Sequence, residues 1–233
     1  QLADGRWYMV SLGKRNDLDG DANMGRETYL IPMKWEPTIV KWEQVSETKW
    51  QPVKYLFPVA APMTGKVERF FPLPFSEKPQ YINNSYIDDF TSNNLKLDWT
   101  FIRVPKQNTI SLTDNPGHLR LYPQSTTIEN RKNFSMIGFR QRESDFDYQV
   151  KMNFMPKKNK VESGIIHYQK EHNYLTSVVY KVGKKFFLEQ MLKEKDKNVT
   201  SLKKVLLKKY SGSIIFKTES REDRYTFYYS LDN

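Results

Sequence analysis

The chain has 233 residues, 38% of them hydrophobic and 14% aromatic, which is enough to build a buried core. Its mean hydropathy of −0.72 does not indicate disorder, because aromatic and β-branched residues are abundant. No run approaches the ~18 apolar residues a membrane helix requires, and with no cysteine there is neither a disulfide framework nor a thiolate metal site. In chain order, residues 6–10 are strand-like from the outset, and residues 16–23, rich in Asp, Asn and Gly, form a polar loop. Residues 27–33 and 38–43 read as two strands. Pro52, Pro58, Pro62, Pro72, Pro74 and Pro79 then disfavour regular ladders, so residues 52–87 are expected to be a linker, with a domain boundary at residues 79–88.

Beyond that boundary the pattern is strand after strand. Leu95, Leu97, Trp99 and Phe101 alternate with Lys96, Asp98, Thr100 and Ile102, which predicts a strand with one buried face, stopped by Pro105. Asn115-Pro116-Gly117 is a turn, and residues 118–122 begin a second strand expected to lie in the same antiparallel sheet. The clearest alternation is Phe146, Tyr148, Val150, Met152 and Phe154 against Asp147, Gln149, Lys151 and Asn153. Residues 164–168, 174–182, 185–191, 214–218 and 224–231 continue the series, separated by turns at His172-Asn173 and Val182-Gly183-Lys184. Residues 191–209 are ambiguous between a short amphipathic helix and a strand pair around Asn198.

The net charge of +10 and pI of about 9.5 raise the question of a polyanionic partner. Much of the excess lies in residues 157–209, interrupted by Glu189, Glu194 and Asp196. No nucleic-acid motif accompanies it, so solvated loops and lysine-guarded strand edges are the favoured reading, with neither nucleic acid nor membrane as partner. Asn83, Asn133 and Asn198 sit in N-x-S/T sequons, which matter only in a secreted chain. His118 is expected to be structural, and His167 and His172, five apart, make no metal motif, so no metal or cofactor is expected. The compartment stays open, no signal peptide being visible.

Three ordered blocks carry a resemblance. W-T-F-I-R-V-P, S-L-T and P-G-H-L-R-L-Y, at residues 99–122, resemble the start of the concanavalin A-like sandwich of family 43 glycoside hydrolases, the β-xylosidases and arabinofuranosidases. Residues 5–15 and G-R-E-T-Y-L at residues 25–30 are similar to the last blade of the five-bladed propeller that precedes this sandwich. Residues 134–141 resemble the sandwich's S-F-x-G-x-R-Q segment. The resemblance implies an all-β fold: a propeller-blade remnant at 1–51, the linker at 52–87 and a concanavalin A-like antiparallel β-sandwich at 88–233. Compared with the family, both ends look cut short, so a fragment or truncated product is expected.

Glycoside hydrolysis needs two carboxyl groups across the bond, and family 43 resembles the inverting case. The family's base, tuning Asp and acid all fall upstream of Gln1, so no catalytic residue is expected here and the chain alone should be inactive. The local carboxylates Glu27, Asp88, Asp89, Glu143, Asp145 and Asp147 read instead as surface or turn-capping groups. Arg26 matches the arginine that reaches the sugar in related β-xylosidases, and is the one candidate substrate-binding residue, against a structural arginine paired with Glu27 or Asp21. Trp35-Glu36-Pro37-Thr38 lacks the family's Gly-Trp pair, which puts the blade's last turn in doubt. Trp35, Trp42, Trp50 and Trp99 would stack on sugars if exposed, with Trp99 expected in the core. The implied partner of the intact enzyme is a xylo- or arabino-oligosaccharide, with a homo-oligomer through the sandwich also open. A free-standing carbohydrate-binding module is the alternative, and a basic polyanion binder the third.

Overall fold

The structure is a computed structural model that describes residues 1–15, 24–75, 85–106, 108–130, 132–222 and 224–231. The polar loop at 16–23, the sequon at Asn83 and Asp21 lie outside the described residues. The described residues are all-β, with one 3-10 turn at Ile128–Asn130, and divide into two compact units, Gln1–Asn84 and Ser85–Asn233.

The first unit is an antiparallel meander of β1 (Trp7–Lys14), β2 (Arg26–Ser46) and β3 (Lys49–Ala60). The two strands expected at 27–33 and 38–43 are one, because β2 changes partner midway: residues 26–33 pair with β1 and residues 33–46 with β3. The doubtful turn at Trp35-Glu36-Pro37-Thr38 is therefore extended ladder. The strand β3 also runs through Pro52 and Pro58, inside the stretch expected as linker. Strand backbones alternate their hydrogen-bonding direction residue by residue. Pro52 and Pro58 are six apart, so both missing N–H groups fall on one side of β3, the edge that has no partner strand among the described residues. The same alternation turns Pro32 away from β1 and Pro37 away from β3, so neither removes a donor from that pairing. Trp35 lies across from Pro58 and Trp42 across from Pro52. Gly13 is fixed by packing, since a Cβ there would lie 2.9 Å from the Tyr29 ring.

The second unit opens with irregular chain. Its short strands are β4 (Trp99–Thr100), β5 (Ile110–Ser111), β6 (Arg120–Leu121) and β7 (Gly138–Phe139), pairing as β4 with β7 and β5 with β6. The strand expected over 95–102 shrinks to two residues, and Leu97 is 99% exposed. Its alternation thus marks no buried face, and β6 finds its partner in β5, not in the 95–102 segment. Side-chain anchors hold this segment instead. Trp99 Nε1 donates to Asp88 at 2.8 Å, inside a ring cluster with Tyr86, Phe90 and Phe139. Arg103 of the I-R-V-P block reaches Glu171 at 2.7 Å.

The sandwich follows. One sheet holds β8 (Phe146–Asn153), β13 (Ser213–Arg221) and β14 (Arg224–Ser230), in the order β14-β13-β8. The other holds β9 (Glu162–Lys170), β10 (Asn173–Val182), β11 (Lys185–Lys193) and β12 (Thr200–Leu206), in the order β12-β11-β10-β9. The ambiguous region at 191–209 is thus a strand pair, with β12 as an edge strand carrying Lys203 and Lys204, charges that discourage edge-to-edge pairing. Ile165, Val179 and Leu188 from one sheet meet Ile214 and Phe216 from the other, with Leu207 and Tyr210 in the same cluster. Each such side chain removed from water contributes roughly 1.5–3 kcal/mol. His167 lies in this interior, its Nε2 hydrogen-bonded to Thr218 Oγ1 at 3.0 Å.

Candidate functional site

Arg26 is the first residue of β2, opposite Lys14, and its side chain is exposed. Neighbouring residues on a strand face opposite ways, so Arg26 and Glu27 point to different faces of the sheet. Glu27 is taken by Arg15, whose Nε and Nη2 reach its two oxygens at 3.2 and 3.1 Å. Among the described residues no hydrogen bond or ion pair reaches the Arg26 guanidinium, so the pairing with Glu27 weighed from sequence is not made. Arg26 shares its face with Leu30, Val10 and Leu12, which the register brings together and which are 40%, 70% and 60% exposed. A free fork of donors beside an open apolar patch suits contact with a polar group on a covering body.

The local carboxylates are engaged in local hydrogen bonds and ion pairs. Asp88 is enclosed, accepting from Trp99 Nε1, from the Phe90 N–H at 3.0 Å and from Tyr86 Oη at 3.3 Å, with Lys96 Nζ 3.5 Å away. Burial pushes its carboxyl up, but the Trp99 and Phe90 donors, Lys96 and Tyr86 outweigh it and hold the pKa below 3.8. Asp89 accepts from the Thr91 N–H and hydroxyl. Both cap turns, Asp88 through the Phe90 N–H and Asp89 through the Thr91 N–H. Asp147 pairs with Arg221 at 2.7 Å and Lys217 at 3.6 Å on the solvent face of β8, and Asp145 accepts from the Glu222 N–H. Glu143 offers its backbone carbonyl to Gln141.

The aromatic candidates divide. Trp99 is packed, whereas Trp35, Trp42 and Trp50 are 42–57% exposed, and Trp7 stacks edge-on against Trp35 at 5.6 Å. His118 is exposed and lies 3.4 Å from Asn153 Nδ2. His167 is a packed interior residue, and its burial lowers its pKa to about 4. No group of three or more His, Asp or Glu residues able to hold a metal occurs among the described residues. The Asn133 side chain donates to the Val104 carbonyl at 2.6 Å. Two carboxylates outside the candidate set, Glu162 and Glu189, line one hollow on the four-stranded sheet. Alternation assigns each to the face of its own strand, but which strands pair is not written in any local pattern.

Residues 87–233 match the family described as the β-xylosidase C-terminal concanavalin A-like domain. The chain belongs to this family. It is 30% identical over 227 residues to a non-reducing-end α-L-arabinofuranosidase of Bacteroides ovatus, covering 97% of this chain and 39% of that protein. It is 31% identical over 183 residues to a xylosidase/arabinosidase of Butyrivibrio fibrisolvens, covering 76% of this chain and 31% of that one. Among solved structures, the Bacteroides ovatus xyloglucan PUL GH43B aligns with a TM-score of 0.80 at 28% identity, over 99% of this chain and 42% of that one. The xylan β-1,4-xylosidase of Bacillus halodurans shares the fold with a TM-score of 0.70 at 20% identity, over 99% of this chain and 41% of its own. The chain thus spans about two-fifths or less of the curated relatives it matches. The all-β fold with its concanavalin A-like sandwich accords with the family resemblance.

Proposed function

We propose that this chain is the accessory β body of a family 43 glycosidase acting on xylo- or arabino-oligosaccharides. Residues 1–51 would then be the outer edge of its propeller and residues 88–233 its sandwich. The observation that carries the reading is the alignment: nearly the whole chain matches an α-L-arabinofuranosidase while covering only 39% of it. The open face bearing Val10, Leu12 and Leu30 supports it, since an isolated three-stranded meander with one bare apolar face fits a neighbouring blade. In that setting Arg26 contacts the sugar, its guanidinium donating to hydroxyls in the pocket. The carboxylates that cleave the bond are supplied by another part of the enzyme, and this chain alone does not turn over substrate.

The test is an assay of the purified chain with nitrophenyl β-xyloside and nitrophenyl α-arabinofuranoside. No hydrolysis above buffer is expected, and sustained turnover abolished by a Glu or Asp substitution in this chain would refute the reading. In an intact relative, substitution of the arginine matching Arg26 by alanine is expected to lower kcat/KM at least tenfold. Unchanged kinetics would remove Arg26 from the pocket.

A further inference from the structure

One end of the four-stranded sheet, on the face turned away from the core, is hollowed into a cavity of about 430 Å³. That volume falls within the range of small-molecule sites. Three adjacent strands build it. Val179 and Leu188 point into the core, so Tyr180, Val182, Glu189 and Met191 point the other way, and the register sets Glu162 of β9 directly across from Tyr180. The rim is fixed as well: Gly183 N–H donates to Asn159 Oδ1 at 3.1 Å and Lys181 Nζ to the Lys157 carbonyl at 3.0 Å.

The two carboxylates of this hollow differ in state. Glu189 is satisfied, accepting from Ser201 Oγ at 2.6 Å and from the Tyr180 hydroxyl, with Lys204 close by. Glu162 receives no hydrogen bond among the described residues, yet it faces the same space. Although Glu162 is open to solvent on one side, partial desolvation first and the Glu189 charge second push its pKa up. Glu162 is exposed at the mouth of the hollow, so its oxygens are open to hydroxyl donors from a ligand, which would take the place of solvent there.

The surroundings select the ligand's chemistry. Lys160 and Lys181 line the hollow and Lys204 stands over the stacked Tyr180 and Phe187 rings, so a cationic ligand meets nearby positive charge. An anion meets Glu162 and Glu189. Val182 and Met191 offer an apolar wall, against which the carbon face of a pyranose or furanose ring packs while its hydroxyls donate to Glu162. We propose that this hollow binds a neutral oligosaccharide, with Glu162 as the principal acceptor and Tyr180, Val182 and Met191 as the wall. It belongs to the second unit, whereas Arg26 belongs to the first, and it holds whether or not the chain is part of a larger hydrolase.

The experiment is calorimetric titration of the 233-residue chain with xylotetraose, arabinotetraose and cellotetraose, and separately with calcium chloride. Saturable binding of at least one oligosaccharide is expected. Glu162→Gln, which keeps the shape and removes the charge, is expected to weaken it at least tenfold, and Met191→Trp, which fills the hollow from its wall, to abolish it. Lys151→Ala, on the exposed face of β8 in the other sheet, should leave it unchanged, and near-UV circular dichroism checks that each variant is folded. Equal affinity in Glu162→Gln and wild type, heat with calcium but none with sugars, or flat titrations with all three sugars at millimolar concentration would overturn the proposal.

Discussion

His167 Nε2 and Thr218 Oγ1 lie 3.0 Å apart and join β9 to β13 across the interior, a polar link between the two sheets. Phe146, Tyr225 and Phe227 surround the imidazole, and this burial lowers its pKa from 6.5 to about 4. Because the folded value is the depressed one, the unfolded chain takes up the proton first. The stability is therefore complete above pH 6.5 and is lost as the pH falls towards 4. A displacement of that size corresponds to roughly 3 kcal/mol. Urea titrations at pH 7.5, 5.5 and 4 are expected to show the loss, and His167→Phe should flatten that part of the profile. A wild-type stability that is constant between pH 7 and 4 would contradict the assignment.

Asp88 tests whether the irregular start of the second unit depends on one acceptor. Its Oδ1 takes the Phe90 N–H and its Oδ2 the Trp99 and Tyr86 donors, so both oxygens face donors only. Asp88→Asn is isosteric but must set an NH2 group against one of them. The expected cost is about 2–3 kcal/mol, the penalty for a buried donor left without an acceptor. Asp89→Asn, at an exposed position where one oxygen receives the Thr91 bonds, should cost under about 1 kcal/mol. Equal losses at the two positions, measured by urea unfolding, would argue against the anchor.

Where one face of a strand meets the core, its position was legible in the residues. Phe146 to Asn153 alternate in sequence and in burial without exception. Leu95, Leu97, Trp99 and Phe101 show the same period, yet only Trp99 and Thr100 pair as strand, because donors to Asp88 rather than a ladder hold that segment. Alternation records which way side chains point, and it does not record whether a partner strand exists. The prolines of β3 misled for a related reason: proline removes one donor, and whether that donor mattered depends on which edge is free. Arg26 was visible through its motif, whereas Glu162 and Glu189 became neighbours only through pairings of β9, β10 and β11 that no local pattern encodes.

Two glycines separate steric cost from conformational cost. A Cβ on Gly164 would lie 1.9 Å from the Ser177 carbonyl oxygen, so Gly164→Ala must push β9 off β10. The expected loss is about 3 kcal/mol or more, at the upper end of overpacking. Gly117 has open space but a φ of +76°, so Gly117→Ala pays only for the left-handed backbone, about 1–2 kcal/mol. Thermal or urea unfolding of the pair should rank them in that order. A tolerated Gly164→Ala would mean that β9 and β10 stand further apart than described.

The free edge of β3 gives the last prediction. Pro52 and Pro58 face outward along it, so the outward N–H groups of Lys54 and Leu56 lie between two positions that offer no donor. Replacing both prolines by threonine leaves every bond to β2 in place and restores two outward donors, making a continuous edge beside the exposed Tyr55, Leu56 and Phe57. Such an edge templates pairing with another strand. The Pro52→Thr/Pro58→Thr chain is therefore expected to self-associate at concentrations where the parent stays monodisperse in sedimentation velocity, with unfolding stability changed by less than about 1 kcal/mol, as suits exposed positions. If the prolines faced β2 instead, the same double substitution would add two ladder bonds and raise stability without association.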